Sequence, residues 1–267
     1  MLKFIVISDL HIVPEGCLSN AIDTSKRLAT AIQHINSFHD DADFCIVAGD
    51  LTDKGDIESF RRLQPQLQGL NLPVHITLGN HDDRANFLAV FDQAAPSVTG
   101  FLDTVIDCAG HRVILLDTLH SGQHPGWLED EQLSWLSERL AEAERLPVIV
   151  VMHHNIADLQ VSTDVIRLRG NRRLTDVLRT HADIRSVLSG HVHLASSGML
   201  HGIPFSTCAG CHYNIEPRRQ DPEYRAPRRE GPGQYAVVWS DAESTVVLQE
   251  DFHDRHQVMP PELFRWA

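Results

Sequence analysis

Two short segments place metal-competent side chains two residues apart: Asp9-Leu10-His11 and Gly190-His191-Val192-His193. In an extended segment, residues two apart point the same way, so each pair can turn two donors toward one cation. Three more segments end in residues of the same kind: Gly49-Asp50, Gly79-Asn80-His81-Asp82 and His153-His154. A carboxylate has two oxygens, so Asp50 is the candidate to bridge two ions. Asn80 can give an amide oxygen to the second ion, and His153 completes that site. Asp9, His11, Asp50, Asn80, His153, His191 and His193 form a mixed nitrogen and oxygen set. Such a set suits divalent or mixed-valence Fe, Mn, Zn or Co. It is too large for one tetrahedral zinc. It fits two ions roughly 3.5–4 Å apart, which clamp the attacking and leaving oxygens of a phosphoryl displacement.

These residues must stand at the ends of regular elements. Met1 to Asp9 reads as a first strand, and Phe44 to Ala48 is an apolar run that stops at Gly49-Asp50, as a buried strand does. Pro73 to Leu78 is a third strand, ending in Gly79-Asn80-His81-Asp82. Apolar positions at helical spacing fill Asp23 to Phe38 and residues 56 to 70, where Pro65 is expected to kink or interrupt the second helix. Strands alternating with helices predict parallel pairing. After a short helix from Arg84 to Phe91 the pattern changes. Thr104 to Cys108 and Arg112 to Asp117 flank Ala109-Gly110-His111, a predicted hairpin. Residues 129 to 145 predict a helix with acids at its start and Pro147 beyond its end. Val148 to Met152 is a buried strand leading into the histidine pair. Asn171 can cap a helix, Ile184 to Leu188 leads into Gly190-His191, and 198–207 reads as a hairpin. Residues 214–234, rich in Pro, Arg and acids, predict a long surface loop. Strands at 234–239 and 245–249 close a single domain over 1–267, with a tail from about 252.

The bulk numbers agree with a soluble α/β protein. The chain has 267 residues, 42% hydrophobic and 22% charged, and a formal net charge of -13. That charge argues against nucleic acid polymers or anionic membranes as partners. Five scattered cysteines fit a reducing cytoplasm, and no run reaches the roughly 18 apolar residues of a membrane span. A cytoplasmic location is expected.

The ordered motifs Asp9-x-His11, Gly49-Asp50-x-x-Asp53, Gly79-Asn80-His81-Asp82, His153-His154 and Gly190-His191-x-His193 resemble the calcineurin-like metallophosphoesterase superfamily. The chain length, Gly126-Trp127-Leu128 and the His191 to Tyr213 region are similar to bacterial class III cyclic-nucleotide phosphodiesterases and glycerophosphodiesterases. The resemblance implies a four-layer α/β/β/α sandwich of two mixed sheets, with a binuclear site at strand ends. It assigns Asp9, His11, Asp50 and His193 to one metal, and Asp50, Asn80, His153 and His191 to the other. It favours His153 over His154 as the ligand. Where the family commonly has proline, this chain has Asn155, which bears on loop shape or substrate contacts. The implied activity is hydrolysis of small phosphodiesters, 3',5'-cyclic nucleotides or glycerophosphodiesters, by metal-bound hydroxide. Asp50, Asn80 and His81 are the catalytic candidates, and His81, His154 and His212 the candidate substrate contacts.

Plainer readings stand beside these. Asp53 and Asp82 either orient histidines or cap loops, and Cys208-Ala209-Gly210-Cys211 lacks a second pair to make a metal site. The arginines at 218, 219, 225, 228 and 229 default to a solvated loop, with a phosphate contact from one of them as the sharper reading. Phe264 and Trp266 suggest tail docking in a homo-oligomer. A metallonuclease, a protein phosphatase or a non-catalytic scaffold on the same fold are the rival functions.

Overall fold

The computed structural model describes residues 1–217 and 228–253. Its elements run β1 (Leu2–Ile7), α1 (Thr24–Phe38), β2 (Phe44–Ala48), α2 (Ile57–Leu67), β3 (Val74–Thr77), α3 (Arg84–Val90), β4 (Thr104–Cys108) and β5 (His111–Leu116). There follow α4 (Asp130–Ala143), β6 (Val148–Met152), a 3₁₀ helix Ser162–Ile166, α5 (Asn171–Leu178), β7 (Ile184–Ser189), β8 (Ser196–Leu200) and β9 (Ile203–Thr207). The last are β10 (Asn214–Ile215), β11 (Arg228–Arg229), β12 (Gln234–Ser240) and β13 (Thr245–Asp251).

Two mixed sheets result, ordered β13-β12-β1-β2-β3 and β4-β5-β6-β7-β9-β8. In the first, β1, β2 and β3 are parallel while β12 and β13 run antiparallel. In the second, β5, β6, β7 and β9 are parallel, with β4 and β8 antiparallel at the edges. The parallel pairing read from the strand-helix alternation and both hairpins are present.

Burial explains the layers. Every residue of β2, β5 and β6 is buried, and apart from His111 and Arg112 of β5 these strands carry apolar side chains on both faces. Phe4, Phe44 and Ile46 of the first sheet meet Val113, Leu115, Ile149 and Val151 of the second in one apolar layer. Leu28 and Ile32 of α1 and Phe60 and Leu63 of α2 cover the outer face of the first sheet, together with Phe87 of α3. Leu136 and Leu140 of α4 and Leu174 and Leu178 of α5 cover the outer face of the second. The order is helix, sheet, sheet, helix, the four-layer sandwich the resemblance implies. Among the described residues no helix is long and apolar enough to cross a membrane, and all five cysteines are free thiols.

Two local expectations are corrected. Pro65 does not interrupt α2, which continues through it to Leu67. It sits in the last turn, where its missing N–H costs a single helical bond. Asn171 is not the cap of α5 but its first residue. The cap is Gly170 in a left-handed conformation, and the Asn171 amide donates instead to the carbonyl of Ile156 (2.8 Å). The predicted loop at 214–234 has paired ends, since β10 and β11 form an antiparallel ribbon. Arg218, Arg219, Arg225 and the tail residues Phe264 and Trp266 lie outside the described residues.

Candidate metal centre

The parallel strands deliver their C-terminal ends to one place, and main-chain hydrogen bonds lock those ends together. The Asp9 N–H donates to the Gly49 carbonyl and that of His11 to the Asp50 carbonyl, each at 3.0 Å. Within the second sheet the Gly190 N–H donates to the His153 carbonyl (3.1 Å), and across the two sheets that of Cys211 donates to the Ser8 carbonyl (2.9 Å). Asp9, His11, Asp50, His191 and His193 all have positive φ, between 45° and 72°. The extended geometry expected for the two-residue pairs is therefore not what aligns them. Each segment is a turn, and non-glycine residues in this region cost about 1 kcal/mol or more apiece, a strain held by the surrounding lattice of bonds.

Around these strand ends six of the seven candidate ligands form two groups that meet at Asp50. Its Oδ2 lies 3.7 Å from His11 Nε2, which is 3.3 Å from His193 Nε2, while Asp9 Oδ1 is 3.5 Å from that same nitrogen. The other Asp50 oxygen, Oδ1, lies 3.3 Å from His153 Nε2, which is 3.2 Å from His191 Nδ1. Donor atoms about 2.1 Å from a common ion sit roughly 3.0–3.4 Å from one another, so these spacings suit coordination. Asn80 Oδ1 is buried with no hydrogen-bond partner, as an oxygen reserved for a cation is. His/Asp clusters able to hold metal ions are thus present in the fold.

The tautomers are already set. His153 Nδ1–H donates to the carbonyl of Ala48 (2.9 Å), His193 Nδ1–H to that of Tyr213 (2.7 Å) and His191 Nε2–H to that of Ile166 (3.0 Å). A carbonyl only accepts, so each ring turns its other nitrogen to the centre. His11 Nδ1 faces Asp53 Oδ1 at 3.3 Å, and that carboxylate also accepts from the Ser19 hydroxyl (2.8 Å). Of the two readings open for Asp53, orientation of a histidine is what its position supports. Asp53→Ala is expected to weaken the first metal position about 10- to 100-fold with little change at the second, measurable by competition with a chelator.

Electrostatics follow burial and charge. Burial raises the Asp50 carboxyl, but His153, His81 and His11 outweigh it and hold it well below the usual range. Burial pushes His193 down to about 4 and His191 well below its ordinary value, so both are neutral donors. Two glycines make the packing possible. A Cβ on Gly79 would sit 2.2 Å from Asp50 Oδ1, and one on Gly49, at φ 85°, would sit 2.6 Å from His153 Nδ1.

Asp82 ties the two loops behind the centre. Its carboxylate accepts from the N–H groups of Leu51 (3.1 Å), Thr52 (3.0 Å) and Gly79 (2.9 Å). Burial and the nearby Asp50 push it up to about 6. Asp82→Ala leaves three buried donors without an acceptor and is expected to cost about 3 kcal/mol or more, read by denaturant unfolding.

The centre opens on a cavity of about 600 Å³ lined by Asp50, Asn80, His81, His191 and His193, and further by His124, Ser162, Thr163, Ile166, Tyr213, Ile215 and Arg228. His81 points its Nε2 there, since Nδ1 donates to the Asp53 carbonyl (2.8 Å). His154 and His212 do not line it. His154 is fully buried, with Nε2–H donating to the carbonyl of His124 (3.1 Å) and Nδ1 accepting from the Thr118 hydroxyl (2.7 Å). Burial and the neighbouring His153 push it down to about 3. His212 is equally buried. Its Nε2–H donates to the Ser19 carbonyl (3.1 Å), and its ring packs against that of His11 at 4.7 Å between centroids. Their place is behind the ligands rather than against substrate. Asn155, where proline was expected, is buried and donates to the Ala157 carbonyl (2.8 Å), shaping the loop that carries the 3₁₀ helix. That helix supplies Thr163 and Ile166 to the cavity, residues with no signal in the sequence, because only the chain path after β6 carries them over the site.

A layered α/β/β/α fold with His/Asp clusters of metal-ligand type at its strand ends is the architecture of a metal-dependent hydrolase. The chain belongs to the calcineurin-like phosphoesterase family, whose sequence profile matches residues 2–195. It is 31% identical over 255 residues to a probable cyclic nucleotide phosphodiesterase of Rhodopseudomonas palustris, covering 94% of this chain and 93% of that one. It is 30% identical to a probable glycerophosphodiester phosphodiesterase of Arcobacter nitrofigilis, covering 78% of each. In fold it is similar to a dimetal phosphatase from Danio rerio, with a TM-score of 0.69 at 15% identity, over 94% of this chain and 96% of that one.

Proposed function

We propose that the protein is a binuclear metal-dependent phosphodiesterase acting on small diesters, 3',5'-cyclic nucleotides or glycerophosphodiesters. The observation that carries this reading is Asp50, whose two oxygens face two separate sets of donors beside an open cavity. Asp9, His11, Asp50 and His193 would hold one ion of Fe, Mn, Zn or Co, and Asp50, Asn80, His153 and His191 the other. Such ions, when bound, would supply an activated water and neutralise charge on the phosphoryl oxygens. The chain's own part is to hold the ligand tautomers through the carbonyls of Ala48, Ile166 and Tyr213 and to place His81 at the cavity. With Nδ1–H fixed on the Asp53 carbonyl, a protonated His81 has its Nε2–H available to an oxygen that gains charge as the P–O bond breaks. The relatives named as cyclic nucleotide and glycerophosphodiester phosphodiesterases support small diesters over nucleic acid, as does the net charge of -13.

A panel of cyclic AMP, glycerophosphocholine and bis(4-nitrophenyl) phosphate, run with Mn, Zn, Fe and Co, tests the proposal. Turnover that needs a transition metal and is abolished by a chelator supports it. Metal uptake without turnover of any diester favours a scaffold, and faster cleavage of DNA than of all three favours a nuclease.

A further inference from the structure

The diester site accounts for the phosphoryl end of a substrate and leaves its ester group unplaced. One wall of the cavity is a column of flat groups. The rings of His193 and Tyr213 lie 4.1 Å apart and 6° from parallel, and the Arg228 guanidinium sits over the Tyr213 ring at 4.6 Å. With His193 covering one face of the phenol, the guanidinium covers the other. The ribbon sets this up: Ile215 and Arg228 are direct cross-strand partners and share a face, which lines the cavity. Arg229, on the opposite face, is neutralised by Glu216 at 2.9 Å. No carboxylate among the described residues pairs with Arg228. Its side-chain hydrogen bond goes to the neutral amide oxygen of Asn20.

We propose that Arg228, seated on Tyr213, is a specificity-determining residue that stacks with a flat heteroaromatic ring in the ester group, of the nucleobase class; this rests on the diesterase reading above. The guanidinium stands one ring farther out than the ligand His193, with Tyr213 between them, so it meets the ester group rather than phosphorus. An arginine seated over an aromatic ring can offer the far side of its guanidinium to a further ring, and planar contacts of this kind favour bases over flexible alcohols.

Steady-state kinetics on cyclic AMP and glycerophosphocholine test it, with R228A and R228K. For cyclic AMP, R228A should raise KM roughly tenfold with kcat within about twofold, while KM for glycerophosphocholine stays within about twofold. R228K, with the charge but not the plane, should recover less than half of the loss. An equal rise for both substrates, no change for either, or full recovery by lysine overturns the assignment. Calorimetric binding of adenosine 5'-monophosphate to the metal-loaded protein gives a readout independent of turnover, and R228A should weaken it roughly tenfold. Absence of turnover with that loss intact removes the diesterase reading and keeps Arg228; normal turnover with equal nucleotide affinity in both proteins removes Arg228 and keeps the diesterase.

Discussion

Asp50→Ala is expected to empty both metal positions at once. Its oxygens face both ligand sets, at 3.7 Å from His11 Nε2 and 3.3 Å from His153 Nε2. Without it the first set keeps Asp9, His11 and His193, and the second keeps Asn80, His153 and His191. Each loses its only shared negative charge. Metal content should fall well below half of the wild-type stoichiometry, and turnover of bis(4-nitrophenyl) phosphate should fall by about a thousandfold or more. Asn80→Ala should lose mainly one ion. Proton competition cannot explain the Asp50 result. Burial lowers the affinity of His153 for a proton, but Asp50 outweighs it and pushes that imidazole up to about 9. Removing Asp50 therefore frees His153 of its proton and should, by itself, favour metal. Elemental analysis that finds both ions retained in Asp50→Ala would remove the bridging role.

The second large effect is expected at His81. Its Nδ1 is fixed on the Asp53 carbonyl and its own N–H donates to Asp50 Oδ1 (2.9 Å), so ring and ligand move as one unit. His81→Ala deletes the ring but keeps that main-chain bond, and metal content should stay at the wild-type value. Loss of a positioned proton donor costs about 100- to 10,000-fold. The loss should depend on the leaving group. An alkoxide, as from cyclic AMP, needs a proton as it departs, whereas 4-nitrophenolate does not. A large fall in kcat for cyclic AMP with a much smaller one for bis(4-nitrophenyl) phosphate identifies the donor. Equal falls on both would place His81 on the non-bridging phosphoryl oxygens instead.

The two expectations differ in how they were reached. Asp50 was readable because a carboxylate at the end of an apolar run gains meaning from six other donors in ordered motifs, and local sequence already fixes which residues end strands. His81 was separable from Asn80 by the same local logic, and the structure gives the reason: the amide oxygen is buried without a partner while the imidazole is turned aside onto Asp53. His154 and His212 show the limit. A histidine beside a ligand reads as a substrate contact, yet both are enclosed by elements far away in the chain, at Thr118 and His124 in one case and Ser19 in the other.

Residue types and their order pointed to the candidate ligands and to the alternation of strands and helices, which depend on patterns within ten or so residues, and the layered architecture followed from the family those ordered motifs resemble. The tertiary structure decided the rest. It replaced the expected extended pairs by turns of positive φ, since what holds Asp9 with His11 and His191 with His193 is main-chain bonding between neighbouring strand ends rather than the pleat. It also turned one arginine of a charged stretch into a cavity wall. Arg228 and Arg229 are neighbours in sequence, and only pairing with β10 sends one to Glu216 and the other to Tyr213. Such a choice of face is set by strand register, a contact between segments that composition and local periodicity do not encode.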